Sequence, residues 1–288
     1  MRRYDFVTVD VFTGTRFGGN PLAVFPDARG LSDAEMQALA AEFNLSETTF
    51  VLPPDNPANT ARVRIFTRQY EMPFAGHPNV GTGWVLRDRA MDGVLRFEEI
   101  AGLVEVRVAE AGTTIAAPQP LTLGVELPVA VIARAAGLEP ADVVASRHPP
   151  VQAGTGNPFV IAEVTPAALG RAQPDFAGFR AGLAATPALG NRFALYLYAQ
   201  EGAAAVRARM FAPLGGTVED AATGSAATPL AALLLQLSGA ESGAWDITQG
   251  VEMGRPSLLR TTARRAADGI RATVGGGCVP VLRGEAML

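Results

Sequence analysis

Residues 217–237, TVEDAATGSAATPLAALLLQL, constrain this chain more than any other stretch. The acidic pair Glu219 and Asp220 leads through a turn of small residues into a run of Ala and Leu. Both are strong helix formers that offer solvent nothing polar. The spacing therefore predicts a helix that begins as Thr223, Gly224 and Ser225 leave the turn, apolar all round and hence buried. The first turn of such a helix aims unpaired N–H groups, with the positive end of the dipole, into the protein. Asp220 and Ser225 bracket that spot, which makes a seat for a carboxylate or a developing oxyanion. Residues 72–86, MPFAGHPNVGTGWVL, echo the arrangement: a Gly and a polar residue again precede small residues and an apolar run. Two such helix starts, one per half, suggest two similar domains. The plainer reading is two ordinary buried helices behind glycine turns.

Composition narrows the chemistry. A chain of 288 residues has room for two domains, and 48% hydrophobic with only 18% charged residues describes a compact globular protein. The net charge of −4, without a basic cluster, argues against nucleic acid. No apolar run is long enough for a membrane span and the first residues lack the apolar core of a signal peptide, so a soluble, cytoplasmic protein is expected. All 24 basic residues are Arg. Without Lys there is no Schiff base and no Walker-A phosphate loop. One cysteine, Cys278, rules out an intramolecular disulfide and two-thiol chemistry, and two histidines, His77 and His148, cannot build a histidine-rich metal site. Carboxylates, hydroxyls, backbone amides and one imidazole remain. No cofactor and no metal are expected.

Along the chain, YDFVTVDVF reads as a strand and LAVFP as a second. Ser32 and Glu35 form a capping box for a helix ending near Asn44. Glu47 follows in NLSETTFV, a position where a lone Glu is ordinarily solvated. ARVRIFT, VLRFEEI, LVEVRVA and TTIAA alternate as an antiparallel sheet with one covered face would. A buried helix is expected from about Pro78 to Arg87. Proline-punctuated, aperiodic APQPLTLGVELP sets a domain boundary near Ala116, giving domains 1–116, to which the extreme C-terminus can return, and 117–288. The second half repeats the order, with helices near 129–137 and 174–184 and strands NPFVIAEV, RFALYLYA and VRARMF. After the helix that follows Gly224, strands SLLRTTA, IRATV and CVPVLRG close the chain. Cys278 reads as a buried inert thiol and His148 as a surface or loop residue.

FTGTRFGGNPLAVF, NLSETTFV, FAGHPNVGTGWVL, VEDAATGSA and QGVEMGRPS together resemble, in order and spacing, the PhzF-like family, named for the phenazine biosynthesis isomerase. The resemblance implies an α+β, diaminopimelate-epimerase-like fold: two similar domains, each a curved antiparallel β-sheet or barrel wrapped around a central helix. It also implies a homodimer. Carried over residue by residue, Glu47 matches the family's proton-transferring acid/base, His77 the His of its G-H-P motif, and Asp220 and Ser225 the acidic and hydroxyl groups of E-D-x-A-T-G-S. Ala221 stands where many relatives carry proline. Asn20, Gly76, Thr223 and Gly224 are the expected substrate-binding positions.

The residue chemistry agrees with these roles. A cofactor-free isomerase needs one base that collects and redelivers a proton, which Glu47 can supply. It also needs donors for the charge that builds up, and N–H groups at Gly76 and Gly224 can supply them while clamping a substrate carboxylate. The epimerase branch of the fold places one cysteine before each central helix; here those positions read as Ala75 and Ala222, so two-thiol racemisation is excluded. The expected activity is isomerisation of a small cyclic or unsaturated carboxylic acid, the family's type substrate being trans-2,3-dihydro-3-hydroxyanthranilate. The alternative is a non-catalytic member that binds a metabolite or a protein.

Overall fold

The computed structural model describes residues 1–288, which fall into two compact units: Met1–Ala116 with Gly275–Leu288, and Ala117–Val274. No helix is long and apolar enough to cross a membrane.

In unit 1 the chain runs through β1 (Arg3–Val11), β2 (Asn20–Phe25), α1 (Asp33–Phe43), β3 (Thr48–Leu52), β4 (Ala61–Phe66) and the two-residue β5 (Glu71–Met72). Then come α2 (Gly76–Val85), β6 (Val94–Glu99), β7 (Gly102–Ala109) and β8 (Gly112–Ala116). Helix α1 starts where its sequence dictates: Ser32 Oγ accepts from the Glu35 N–H while the Glu35 carboxylate accepts from the Ser32 N–H. It stops at Asn44, which takes the left-handed conformation (φ 52°). Crossing over the sheet, α1 leaves β3 parallel to β2; α2 does the same for β6 beside β4. The remaining neighbours, β1–β2, β3–β4, β6–β7 and β7–β8, are antiparallel.

The two faces of this sheet carry different cores. On one, Phe25, Phe50 and Phe66 pack with Met36, Leu39 and Ala40 of α1. The other receives α2, buried from Gly76 to Gly83. A side chain at Gly81 would bring its Cβ to 2.6 Å from Leu22 and 2.8 Å from Val11, so glycine lets the helix sit this close to the strands. Thr49 and Thr82 hydroxyls, 2.8 Å apart, join β3 to the helix inside the core.

Unit 2 continues with β9 (Thr122–Glu126), α3 (Val129–Ala136), β10 (Val143–Val144), β11 (Val151–Gly154) and β12 (Pro158–Val164). Helices α4 (Pro166–Arg171) and α5 (Phe176–Ala185) lead to β13 (Leu195–Gln200), β14 (Ala205–Ala212) and the short β15 (Thr217–Asp220). After α6 (Gly224–Ser238) come β16 (Ser242–Gln249), β17 (Ser257–Ala266) and β18 (Gly269–Gly276), which leaves unit 2, and β19 (Cys278–Met287) pairs with β1 in unit 1. The pairing logic of unit 1 recurs. Strand β13 lies parallel to β12 after α4 and α5, and β16 parallel to β14 after α6, while β11–β12, β13–β14 and β16–β17 are antiparallel. Ile132, Phe179, Leu195 and Leu197 belong to the core that α3 and α5 cover. Helix α6 is buried nearly all round to Leu235, as its composition requires, and Thr228 Oγ1 meets Thr155 Oγ1 at 2.8 Å.

Several details depart from the sequence reading. The sheets are not wholly antiparallel, because each crossover helix forces one parallel pair. Helix α2 begins at Gly76, two residues before Pro78, since proline fits the first turn, where no intrahelical N–H bond is lost. Strand β9 lies inside the stretch read as aperiodic; four of its five residues are exposed, so it lacks the alternation that marks a half-buried strand. His148 lies in the loop between β10 and β11, as read, but is buried there and not on the surface: its Nδ1 lies 2.7 Å from the Pro149 carbonyl and its Nε2 2.8 Å from the Tyr198 hydroxyl.

Candidate active site

In unit 1, Glu47 sits between the left-handed Asn44 that ends α1 and the first residue of β3. Its side chain is 17% exposed, not solvated as a loop glutamate would be. Oε2 lies 3.5 Å from Nε2 of His77, on the first turn of α2. Burial raises the Glu47 pKa above the ordinary carboxylate value; a hydrogen bond from Ser46 and the charge of Arg68 oppose the shift without cancelling it. Asn20, buried at the start of β2, accepts a hydrogen bond from Ser46 Oγ (3.4 Å) and so ties β2 to the Glu47 loop. Helix α2 has no side-chain cap, because its N-cap is Ala75. Its first turn thus presents the Gly76 N–H beside the Glu47–His77 pair.

Unit 2 holds Asp220 at the end of β15 and Ser225 on the first turn of α6. Thr223, the N-cap, donates its hydroxyl to Asp220 Oδ2 at 2.7 Å and so makes no cap bond to the helix. The N–H groups of Gly224 and Ser225 are left without a capping side chain. One residue the sequence reading missed organises this turn. Gln249 is fully buried at the end of β16; its Nε2 donates to the Asp220 carbonyl (2.8 Å) and to Thr223 Oγ1 (3.0 Å). Its Oε1 accepts from the Thr223 N–H (3.2 Å) and from Tyr196 (3.0 Å), whose hydroxyl burial keeps protonated. Gly250 follows at φ 75°, and a Cβ there would fall 2.5 Å from the Ala221 and Arg255 carbonyls. The signal for Gln249 was the QGVEMGRPS motif itself; only its partners were invisible.

The two helix starts are built on one frame. Strand β5 pairs Met72 with Ile65, and β15 pairs Asp220 with Met210. One residue earlier on each strand, Arg64 grips Glu71 through Nε (2.6 Å) and a terminal nitrogen (2.5 Å), and Arg209 grips Glu219 at 2.8 and 2.9 Å. Glu71-Met-Pro-Phe-Ala-Gly-His77 thus corresponds, position by position, to Glu219-Asp-Ala-Ala-Thr-Gly-Ser225. This corrects one pairing. The residues immediately before the central helices are Ala75 and Thr223, not Ala75 and Ala222, because α6 begins at Gly224. Neither is a cysteine. The single thiol, Cys278, lies on β19 with its pKa pushed up to about 12 by burial, so it is a poor nucleophile.

Known proteins with this architecture identify the family. The family model described as "Phenazine biosynthesis-like protein" matches residues 9–284. An uncharacterized isomerase of Mesorhizobium japonicum is 38% identical over 99% of both chains. The trans-2,3-dihydro-3-hydroxyanthranilate isomerase of Pseudomonas fluorescens is 37% identical over 99% of this chain and 100% of its own. The crystal structure of a Bacillus anthracis phenazine biosynthesis protein of the PhzF family superposes with a TM-score of 0.88, at 26% identity and complete coverage of both chains. The chain belongs to the PhzF-type family of isomerases.

Proposed function

We propose that this isomerase moves a proton within a small cyclic or unsaturated carboxylic acid, with Glu47 as its carbon acid/base and no cofactor. The observation that carries this reading is the Glu47 carboxyl: largely buried, raised in pKa, and 3.5 Å from His77 at the start of a buried helix. A base that must both take and return a proton works best with a pKa moved towards the working pH. Glu47 removes a proton from one carbon, the electron pair passes into the conjugated system, and the same carboxylic acid returns the proton to another carbon. Atoms and charge balance without an oxidant or a metal.

His77, beside Glu47, supplies orientation or a second proton. In unit 2, the first-turn N–H groups at Gly224 and Ser225 suit a carboxylate, and Asp220, oriented by Thr223, suits a cationic or hydroxyl group of the substrate. Absence of lysine and of a second cysteine supports a cofactor-free reaction. The 37% identity to the Pseudomonas fluorescens enzyme makes trans-2,3-dihydro-3-hydroxyanthranilate the first substrate to assay. The assay is run in deuterium oxide with the product followed by NMR. Turnover by the parent protein and its loss in Glu47→Gln support the reading; parent-level turnover or solvent exchange in Glu47→Gln moves the base elsewhere, with Asp220 the next residue to test. A homodimer of about 60 kDa belongs to the same reading, twice the 30.0 kDa chain, and light scattering that returned a monomer at micromolar concentration would remove it.

A further inference from the structure

Two consecutive glutamates at the end of β6 have opposite surroundings. Successive side chains of a strand point to opposite faces. Glu98 accepts from the Asp55 N–H (2.6 Å), the Asn56 N–H (2.9 Å) and Asn59 Nδ2 (2.7 Å), which hold its pKa below the ordinary range. Glu99 turns inward. Both its carboxyl oxygens are buried without a hydrogen-bond partner, and it lies against Asn79 of α2. Asn79 is itself fully buried; one Nδ2 hydrogen goes to the Ala75 carbonyl at 3.0 Å, while its Oδ1 is a third buried atom with no partner. If Glu99 is ionised, three buried acceptors share this spot with at most the second Nδ2 hydrogen of Asn79 as donor, an arrangement native proteins avoid.

We propose that Glu99 is a positioning residue of the unit 1 half-site: as a neutral carboxylic acid it donates its O–H to Asn79 Oδ1 and so fixes the first turn of α2 beneath His77. One proton converts the orphaned acceptors into a donor–acceptor pair. The chain of contacts then runs from Glu99 through Asn79 to the carbonyl of Ala75, the N-cap residue two positions before His77. A second link joins the same parts, since the Ala101 N–H, in the turn after β6, donates to the Pro73 carbonyl at 3.1 Å, in the loop that enters α2. The charged or titratable groups on the surrounding elements are Asp55, Arg62, Arg64, Arg96, Glu98, Glu105, Arg107 and His77; Arg64 is held by Glu71 and Asp33, and Arg107 lies opposite Val94 at the far end of β6. Arg62 is turned to Asp55 (3.7 Å), Arg96 to Glu105 (3.4 Å) and His77 to Glu47 (3.5 Å), so no cation is committed to Glu99. Desolvation accordingly pushes the Glu99 pKa up to about 8.

The catalytic consequence rests on His77 and Glu47 being the reacting pair; the protonation of Glu99 does not, and two of three measurements need no substrate. In carbon-13 glutamate-labelled protein, the carboxyl signal that Glu99→Gln removes should titrate near pH 8; titration in the ordinary carboxylate range overturns the proposal. Glutamine presents an N–H to Asn79 at every pH. Because the folded-state pKa lies above the unfolded one, native protein loses stability as pH rises from about 4.5 to 8 and no more beyond. The melting temperature of Glu99→Gln relative to the parent should therefore climb through that window and then level off; a pH-independent difference overturns the assignment. In turnover, Glu99→Ala should lose roughly tenfold or more in kcat/KM. Glu99→Gln should restore it and lose the parent's alkaline fall near pH 8. A Glu99→Ala protein with parent activity shows that Glu99 positions nothing. If no isomerisation is found at all, the functional reading fails while the titration and melting results still decide the state of Glu99.

Discussion

The start of α2 and the start of α6 share a frame and differ in chemistry. Each follows a short strand hairpinned to a longer one, each is held by an Arg–Glu fork, and each opens on a glycine with no side-chain cap. What changes is the cargo: Met72, Ala75 and His77 in one, Asp220, Thr223 and Ser225 in the other. The imidazole of the first stands beside a buried carboxyl of raised pKa, a setting for moving protons. The second is locked by a buried amide into a fixed array of donors and one acceptor, a setting for holding a substrate. A frame that fixes two uncapped helix ends is therefore used twice with different side chains, and the proposed function confines proton transfer to one copy.

The largest test of that division is Glu47→Gln. It should lower kcat by ~10² to 10⁴-fold, the usual worth of a general acid/base, while substrate still binds. Since the Glu47 pKa is raised, the acid limb of the parent's kcat/KM profile should lie above 4.5. The same shift means the folded parent resists ionisation. Glu47→Gln should gain in melting temperature over the parent as pH rises above 4.5, and an unchanged difference would show that burial does not set this pKa.

The frames should break unequally. Arg209 is only 5% exposed and also donates to the Leu169 (3.0 Å) and Ala172 (2.8 Å) carbonyls. Arg209→Ala strands Glu219 and should cost ~3–5 kcal/mol in urea unfolding, while Arg64→Ala, at a side chain 13% exposed, should cost less. Equal losses would make the two forks energetically alike. Next, Gln249→Leu leaves the Thr223 N–H and the Asp220 carbonyl without their partner and should cost ~1–3 kcal/mol. It should raise KM more than it lowers kcat, which would be reversed if unit 2 carried the proton. The smallest effects come from Thr82→Val and Thr228→Val, each of which removes one hydroxyl pair of 2.8 Å and should cost ~1 kcal/mol in either unit.

Local chemistry was legible in the sequence. The Ser32–Glu35 box, the glycine before each central helix and the buried character of α6 all follow from residues within a few positions of one another. The family motifs identified an isomerase of the PhzF type. What could not be read were partners distant along the chain. Gln249 meets Thr223 and Tyr196, 26 and 53 residues away, and His148 meets Tyr198, 50 residues away. The choice of Ala222 over Thr223 failed for a related reason: a run of small residues does not announce which one ends the turn. Glu99 shows the limit most sharply. Side by side with Glu98 in sequence, it differs only by which side of β6 it occupies, and that decides whether a carboxyl is held by three donors or buried against a single amide.

The pairing of β19 with β1, from Arg3 with Met287 to Val11 with Cys278, governs how the chain is made. The ribosome produces Glu47 and His77 early, yet the strand that closes their unit emerges after the whole of unit 2. At synthesis rates of ~5–20 residues per second, that interval of roughly 160 residues lasts about 10–30 s. Throughout it one edge of β1 stands unpaired, the condition under which nascent sheets join the wrong partner. Unit 2, continuous in sequence, has no such wait and can fold while unit 1 is still open. The half carrying Glu47 and His77 is thus the last to be completed, its β1 edge closed only when β19 has left the ribosome.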